Sequence, residues 1–175
     1  MHTGADVDGN PGSQRTGNLA GAWSFAVADA IRRAVEGVTG VGGAVPAALV
    51  TIDAYPRQTM EELRSALQLS QPGTLRLVER LEDEGWVRRQ PGRSRAAGLV
   101  LTAAGRRMKD RLLAARDGAL AQLLEPLSAR ERSQLEKLLE KLLAEQTEDY
   151  TALRRLCRLC QRPVCERCPV SAALR

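Results

Sequence analysis

The spacing of apolar residues constrains the fold of this 175-residue chain more than any other sequence feature. Along almost the whole chain, apolar residues recur three and four positions apart, which is the pattern of helices that bury one face. The pattern is interrupted once, between Trp86 and Leu101, where two extended stretches flank the turn residues Pro91 and Gly92. The sequence therefore predicts a mainly α-helical fold with one small β-hairpin.

Capping residues mark where the central helices begin and end. Thr59 and Glu62 form a capping box, in which the hydroxyl and the carboxylate each bind a backbone N–H group that the helix leaves unpaired. Ser70 is suited to cap the next helix, Pro72 fits its first turn, and Gly85 can end it. Two short helices therefore precede the hairpin, and longer helices lie on either side of this unit.

Two short helices joined by a tight turn and followed by a basic hairpin are the layout of a winged helix-turn-helix. In that module the second helix enters the major groove of DNA, and arginines of the hairpin, the wing, are attracted to the negative potential of a neighbouring minor groove. Residues 85–109 carry seven basic and no acidic side chains, whereas residues 1–84 carry a net charge of −4. This distribution favours a polyanionic partner, although on charge alone a solvated basic surface remains the alternative.

Two segments of the sequence resemble the MarR family of bacterial transcription regulators. They are LSQPGTLRLVERLEDEGWVRR, which begins at Leu69, and LVLTAAGRRM, which begins at Leu99, and the resemblance extends over residues 19–150. It implies a homodimer in which the first helix and the last two helices interlock, so that two winged modules read the half-sites of a palindromic operator on double-stranded DNA. It also implies a repressor that responds to a small-molecule effector bound between the dimer helices and the winged module.

These observations divide the chain into five segments. We predict a disordered N-terminal tail (1–18), an N-terminal dimerisation helix (19–44), a winged helix-turn-helix domain (45–101), C-terminal dimerisation helices (102–156) and a four-cysteine tail (157–175). The last apolar stripe, from Leu135 to Leu143, exceeds what a lone surface helix requires, and it is expected to continue helically to about Leu156. Packing of the stripe within one chain is the alternative to dimerisation.

The outward face of the helix that follows Ser70 provides candidate DNA contacts. We expect Gln71 and Arg76 to hydrogen-bond with base edges, because Gln suits adenine and Arg suits guanine, and Leu75 to contact a thymine methyl group. Arg80 is expected either to contact phosphate or to pair with an acid at 82–84. The predicted DNA-binding residues are Gln71, Pro72, Leu75, Arg76, Arg80, Arg93 and Arg95.

The tip of the wing departs from the pattern that the resemblance implies. Arg95 matches the wing-tip arginine of the family, which usually has acidic neighbours that hold it in position. Here the tip, residues 91–95, contains no acid. Arg95 is therefore expected to be less pre-organised, and Arg93 can share its role.

All four cysteines lie in the C-terminal segment, in the pattern C-x2-C-x4-C-x2-C. Two such pairs can surround one ion with four thiolates, a donor set that suits Zn²⁺. An iron–sulfur cluster, a reversible dithiol–disulfide switch and inert thiols remain alternatives, and nearby arginines are expected to favour the thiolate form. The predicted metal ligands are Cys157, Cys160, Cys165 and Cys168.

Composition argues against most enzymes and against a membrane protein. The chain has one histidine, His2, in the N-terminal segment, so a Ser–His–Asp, Cys–His or histidine-ligated catalytic site is not expected. No apolar run approaches the roughly 18 residues that a membrane helix needs, and the N-terminus lacks a signal-peptide pattern. We therefore predict a cytoplasmic protein that is not an enzyme.

Three functions remain open at the level of sequence. The first is a dimeric DNA-binding repressor, for which Trp23, Phe25 and Tyr55 are candidate effector contacts, with a core role as the alternative for each. The second is a regulator whose input is metal or redox state at the cysteine cluster. The third is a winged-helix module that binds another protein.

Overall fold

The order of helices and strands is the one expected for a winged helix-turn-helix between longer helices. The computed structural model describes residues 11–91, 97–161, 168–172 and 174. Its elements are α1 (Pro11–Thr39), α2 (Val45–Ala54), α3 (Met60–Leu67), α4 (Gln71–Asp83), β1 (Val87–Pro91), β2 (Ala97–Leu101), α5 (Ala103–Leu124), α6 (Ala129–Glu145), α7 (Tyr150–Leu156) and α8 (Pro169–Ala172). The predicted mainly helical fold with one antiparallel hairpin is confirmed.

Helix α1 begins earlier than predicted. It starts at Pro11, so the prediction of a disordered tail over 1–18 is wrong for residues 11–18, while residues 1–10 lie outside the described part. A proline is well suited to the first helical position because its fixed φ angle is already helical. Each further residue then adds a hydrogen bond to an existing helix at little cost, and the Thr16 hydroxyl also donates to the Gly12 carbonyl at 3.0 Å.

The C-terminal helix is interrupted, so the prediction that it continues to about Leu156 is wrong. Helix α6 ends at Glu145 and the chain turns at Thr147, whose hydroxyl donates to the Leu143 carbonyl at 2.9 Å. The carboxylate of Asp149 then accepts the Ala152 N–H at 2.7 Å and begins α7 as a separate helix. Because the apolar spacing continues across the turn, this spacing gives no sign of the break between α6 and α7.

The core of the winged module forms where α2 is enclosed by its neighbours. Every residue of α2 from Val45 to Ile52 is buried. Leu63 of α3, Val78 and Leu81 of α4, Leu99 of β2 and Leu112 of α5 complete this core and are fully or almost fully buried. The two strands pair antiparallel with Val87 opposite Leu101 and Arg89 opposite Leu99. This arrangement holds α4 and the base of the wing in a fixed relation.

Close contacts between backbone segments join the wing to the rest of the module. The Trp86 carbonyl accepts the Thr102 N–H at 2.9 Å, and the Thr102 hydroxyl donates to the Gly85 carbonyl at 2.6 Å. A Cβ atom on Gly105 would lie only 2.1 Å from the Trp86 carbonyl oxygen, so a glycine lets α5 approach the start of β1. On the other edge, Gln58 forms an antiparallel bridge with Leu99. Among the described helices, none is both long and apolar enough to span a membrane.

Candidate nucleic-acid interface

The N-terminus of α4 is held by the capping residues that the sequence predicted. The Ser70 hydroxyl accepts the Gly73 N–H at 3.2 Å, and Pro72 occupies the first turn. The Ser70 carbonyl accepts both the Thr74 N–H at 2.9 Å and the Thr74 hydroxyl at 3.0 Å. Because the first turn is fixed in this way, the direction of the side chains that leave it is fixed as well.

The two faces of α4 separate as the apolar spacing predicted. Its buried residues are Thr74, Leu77, Val78 and Leu81. All five residues of α4 that were predicted to bind DNA lie on the opposite, exposed face: Gln71, Pro72, Leu75, Arg76 and Arg80. Leu75 is a large apolar side chain that is 42% exposed, which leaves it without cover in the single chain. The N-terminal half of α4 is thus a solvent-facing strip of polar, apolar and basic groups.

The first of the acids at 82–84, which were considered as partners of Arg80, is paired with a different arginine. Glu82 binds Arg89 of β1, with an Nη2–Oε2 distance of 3.0 Å and two further contacts from Nε at 3.1 and 3.2 Å. This fork ties the C-terminal half of α4 to the wing. Within the described ranges no ion pair involves Arg76 or Arg80. Of the two roles predicted for Arg80, the ion pair with Glu82 is therefore not formed.

Part of the basic segment 85–109 is used inside the fold. The Lys109 ammonium lies 2.8 Å from Asp53 and 3.0 Å from Asp110. Burial opposes its charge, but the hydrogen bonds with these two carboxylates outweigh burial and raise the pKa of Lys109. The Arg106 guanidinium donates to the Leu101 carbonyl at 3.1 Å. The segment therefore offers less free positive charge to a partner than its composition suggests.

The predicted wing-tip contacts cannot be located in the structure. Strand β1 ends at Pro91 and β2 begins at Ala97. Arg93 and Arg95 fall between them, in residues 92–96, and lie outside the described residues. Their assignment to DNA remains a prediction.

The three aromatic residues considered for effector binding do not line one cavity. Trp23 and Phe25 on α1 are 41% and 76% exposed. Tyr55 instead faces the C-terminal part of the chain, where the Arg154 guanidinium carbon lies 4.4 Å from its ring centre. A cavity of about 390 Å³ beside Tyr55 is lined by the turn between α2 and α3 together with Arg154, and neither Trp23 nor Phe25 lines it.

Three of the four predicted metal ligands are described, and none of these three is in a disulfide bond: Cys157, Cys160 and Cys168. The hydrogen bond with Cys160, burial, and the proximity of Cys160 and Cys168 raise the pKa of the Cys157 thiol well above its ordinary range. This direction is opposite to the effect expected from nearby arginines: the guanidinium of Arg154 is directed to Gln58 and Tyr55, and Arg162 and Arg167 lie outside the described residues.

The described cysteines do not form a metal site. Within the described ranges, no three His, Cys, Asp or Glu side chains are already arranged to hold a metal ion. Cys165 belongs to residues 162–167, outside the described part. The prediction of a four-thiolate centre thus stays a prediction.

Comparison with known proteins relates both the fold and the winged segment to one family. Residues 39–96 match the family model described as MarR family. A MarR family protein from Bacillus stearothermophilus superimposes with a TM-score of 0.68 at 24% identity, over 77% of this chain and 97% of that one. The fold is that of the MarR family.

Two further similar proteins are a DNA complex and a transcriptional repressor. The MarR family protein Rv2887 of Mycobacterium tuberculosis, in complex with DNA, aligns with a TM-score of 0.57 at 25% identity, over 70% of this chain and 95% of that one. The transcriptional repressor MprA of Escherichia coli (strain K12) is 32% identical over 101 residues, which is 55% of this chain and 57% of the repressor. The chain therefore spans little more than half the length of this curated relative.

Proposed function

We propose that the protein is a sequence-specific, double-stranded DNA-binding transcriptional regulator with the action of a repressor. The observation that carries the proposal is the capped N-terminus of α4, which presents Gln71, Leu75 and Arg76 to solvent from a MarR-type module. The N-terminal residues of a recognition helix are those that reach base edges in the major groove. The existence of a related fold in complex with DNA supports this use of the helix.

The proposed assembly is a homodimer on a palindromic operator. Large apolar side chains stand exposed on α1 and α6 in the single chain, among them Trp23, Phe25, Leu138 and Leu142. Leu138 and Leu142 are 61% and 62% exposed in the single chain, which supports a second copy as the partner of this part of the α6 stripe. Burial of such a face between two copies would remove it from water.

A small-molecule effector is part of the same proposal, with its chemistry unassigned. The groove along α1 has a volume of about 530 Å³ and is lined by Val27, Ile31 and Val35, together with the loop before α2. A ligand there would alter DNA binding only if it had different affinities for the two states of the protein.

Selection of bound duplexes from a randomised library, followed by titration at several salt concentrations, tests DNA binding. We expect an enriched two-fold-symmetric sequence and an affinity that falls steeply with salt, since several phosphates are neutralised. Arg76→Ala should relax base preference at one position of each half-site by about 1–3 kcal/mol. Arg130→Ala, which removes an exposed arginine from the first turn of α6, is the matched control. No enrichment and no salt dependence would instead favour a winged module that binds protein.

A further inference from the structure

Helix α7 contacts the turn that joins α2 to α3. It packs against α3, and its Leu153 is only 5% exposed. The next residue, Arg154, places its guanidinium carbon 4.4 Å from the centre of the Tyr55 ring and donates a hydrogen bond to the side-chain oxygen of Gln58. One side chain of the C-terminal segment therefore contacts two residues of this turn, from a helix that is held by a buried leucine.

The same turn pairs with the edge of the wing. The Arg57 N–H donates to the Leu99 carbonyl at 2.9 Å, and the Leu99 N–H donates to the Gln58 carbonyl at 2.8 Å, so residues 57 and 58 bind the edge of β2 that does not face β1. A Cβ atom on Gly98 would lie only 2.7 Å from the Arg57 carbonyl oxygen, because the turn approaches the strand so closely. The position of β2 therefore depends on where this turn lies.

The backbone of this turn needs support from its surroundings. Arg57 has a φ angle of 66°, in the left-handed region that residues with a Cβ atom rarely adopt. Such a conformation persists only where the neighbouring structure holds it. The Arg57 side chain is exposed, whereas the next side chain, Gln58, is 4% exposed and accepts the hydrogen bond from Arg154. The buried side chain of Gln58 is therefore the part of the turn through which α7 can hold it.

The Gln58 amide depends on Arg154 for its side-chain hydrogen bond. Within the described part of the chain, the Nε2 atom of Gln58 is buried without a partner, whereas its Oε1 atom is bound to Arg154. A buried amide that loses its last partner is destabilised, and any movement that brings it to water relieves this cost. Removal of Arg154 is therefore expected to draw Gln58 outward, and the backbone of Gln58 would move Leu99 with it.

We propose that Arg154 is a positioning residue for the wing, which it holds in place through Gln58 rather than through a contact with DNA. The proposal gives a role to α7, which lies beyond the residues 39–96 that match the family model. It rests on the DNA-binding function proposed above. The wing and α4 can contact one duplex together only if β2 keeps its place, so loss of the Arg154 contact should weaken the contact of the wing with DNA without changing the bases that α4 reads.

Amide exchange of the full chain without DNA tests the positioning itself. In Arg154→Ala, the protection factors of the Arg57 and Leu99 amides, which form the two bonds between the turn and β2, should fall about tenfold, as for one lost hydrogen bond with a charged group. The protection factor of Val78, on the buried face of α4, should fall less, whereas a general loss of stability would lower all three alike. Arg155→Ala removes a half-buried arginine from the same helix and should leave all three unchanged.

A double-mutant cycle tests whether Arg154 acts through Gln58, and footprinting tests the consequence for DNA. Gln58→Met replaces the amide with an apolar side chain of similar length, so Arg154→Ala should have no further effect on Leu99 protection in that variant. On an operator selected with the wild type, Arg154→Ala should bind about tenfold more weakly than Arg155→Ala, which removes the same charge. It should also lose hydroxyl-radical protection of the minor groove beside each half-site and keep the base preference of α4.

Several results would overturn the proposal. These are wild-type protection of Leu99 in Arg154→Ala, an equal fall at Val78, the same losses in Arg155→Ala, additive effects of Arg154→Ala and Gln58→Met, or an unchanged footprint. If Arg154→Ala fails to fold, Arg154→Met, which keeps the length of the side chain but not its donors, takes its place with the same expectations. A wild type that binds no duplex would reject the proposed function, whereas the exchange data would still decide whether Arg154 holds the wing.

Discussion

At the scale of single residues, the partner of each charge decides what a basic side chain can do. Arg80 and Arg89 look equivalent in sequence, since both lie near the acids at 82–84. In the folded chain Glu82 forms an ion pair with Arg89, and Arg80 lies on the exposed face of α4. The same distinction separates Lys109, which is bound to Asp53, from the arginines that remain exposed.

The two arginines are therefore expected to respond differently to substitution. Arg80→Ala should weaken binding to all duplexes alike and lower the magnitude of the salt slope by about 1, as the loss of one phosphate contact does. Arg89→Ala should leave Glu82 unpaired next to the wing and reduce stability, by at most about 1 kcal/mol for a partly exposed pair. Anisotropy titrations at several salt concentrations and urea unfolding measure the two effects. Equal salt slopes in Arg80→Ala and wild type would contradict the phosphate contact.

At the scale of helices and strands, short backbone contacts join the elements. The junction between the wing and α5 needs a residue without a side chain at Gly105, because the Trp86 carbonyl lies where a Cβ atom would be. At helix ends, capping side chains form hydrogen bonds with the backbone groups that the helix leaves unpaired.

Gly105→Ala should destabilise the protein by about 1–3 kcal/mol, since α5 and the start of β1 would have to separate. Gly118→Ala is the matched control in the same helix: a Cβ atom there meets nothing within 4 Å. That change should be neutral or stabilising by about 0.5–1 kcal/mol, because alanine is the better helix former. Urea unfolding compares the two variants, and equal effects would contradict the close approach.

The start of α6 should loosen in acid. Hydrogen bonds from the Ser128 hydroxyl and backbone N–H lower the pKa of Glu131 from its ordinary 4.5. A lowered pKa in the folded state means that the stabilisation is present above 4.5 and is lost as pH falls through the folded value. Amide protection factors in the first turn of α6, which correct for the intrinsic pH dependence of exchange, should therefore fall below that range, and Glu131→Gln should remove this fall. Identical profiles in the variant and the wild type would contradict the cap's role.

At the scale of the whole molecule, the single chain leaves a large apolar surface uncovered. The exposed leucines of α6 and the exposed aromatic residues of α1 lie outside the core of the winged module. A helix that buries none of its residues, as α6 does here, gains little from remaining folded alone. A second copy of the chain is the partner that we propose for this surface.

Leu142→Glu should break the dimer, because it places a charge in the apolar interface. The particle mass in sedimentation should fall by half, and operator affinity should fall with it. Gln134→Glu adds the same charge at an exposed position of α6 and should leave the dimer intact. A wild type that sediments as a monomer, or a Leu142→Glu variant that remains dimeric, would contradict the interface.

Local chemistry explains why the winged module could be predicted from sequence. Caps at Thr59, Ser70 and Thr102 act within one turn of their helix, and the alternation of buried and exposed positions on α4 follows from helix geometry. The turn at Thr147 escaped prediction because the leucine spacing continues past it, although Asp149 was a signal for a new N-terminus.

The sequence by itself determined the helices, the hairpin, the two faces of α4 and the clustering of cysteines, since each depends on residues close together in the chain. Only the tertiary structure decided which charges are paired, where α7 lies, and which apolar surface remains exposed. Glu82 meets Arg89, Arg154 meets Gln58, and Lys109 meets Asp53 across packed elements. Such pairings depend on distances that chain spacing does not encode, because they are set by how the core brings the elements together.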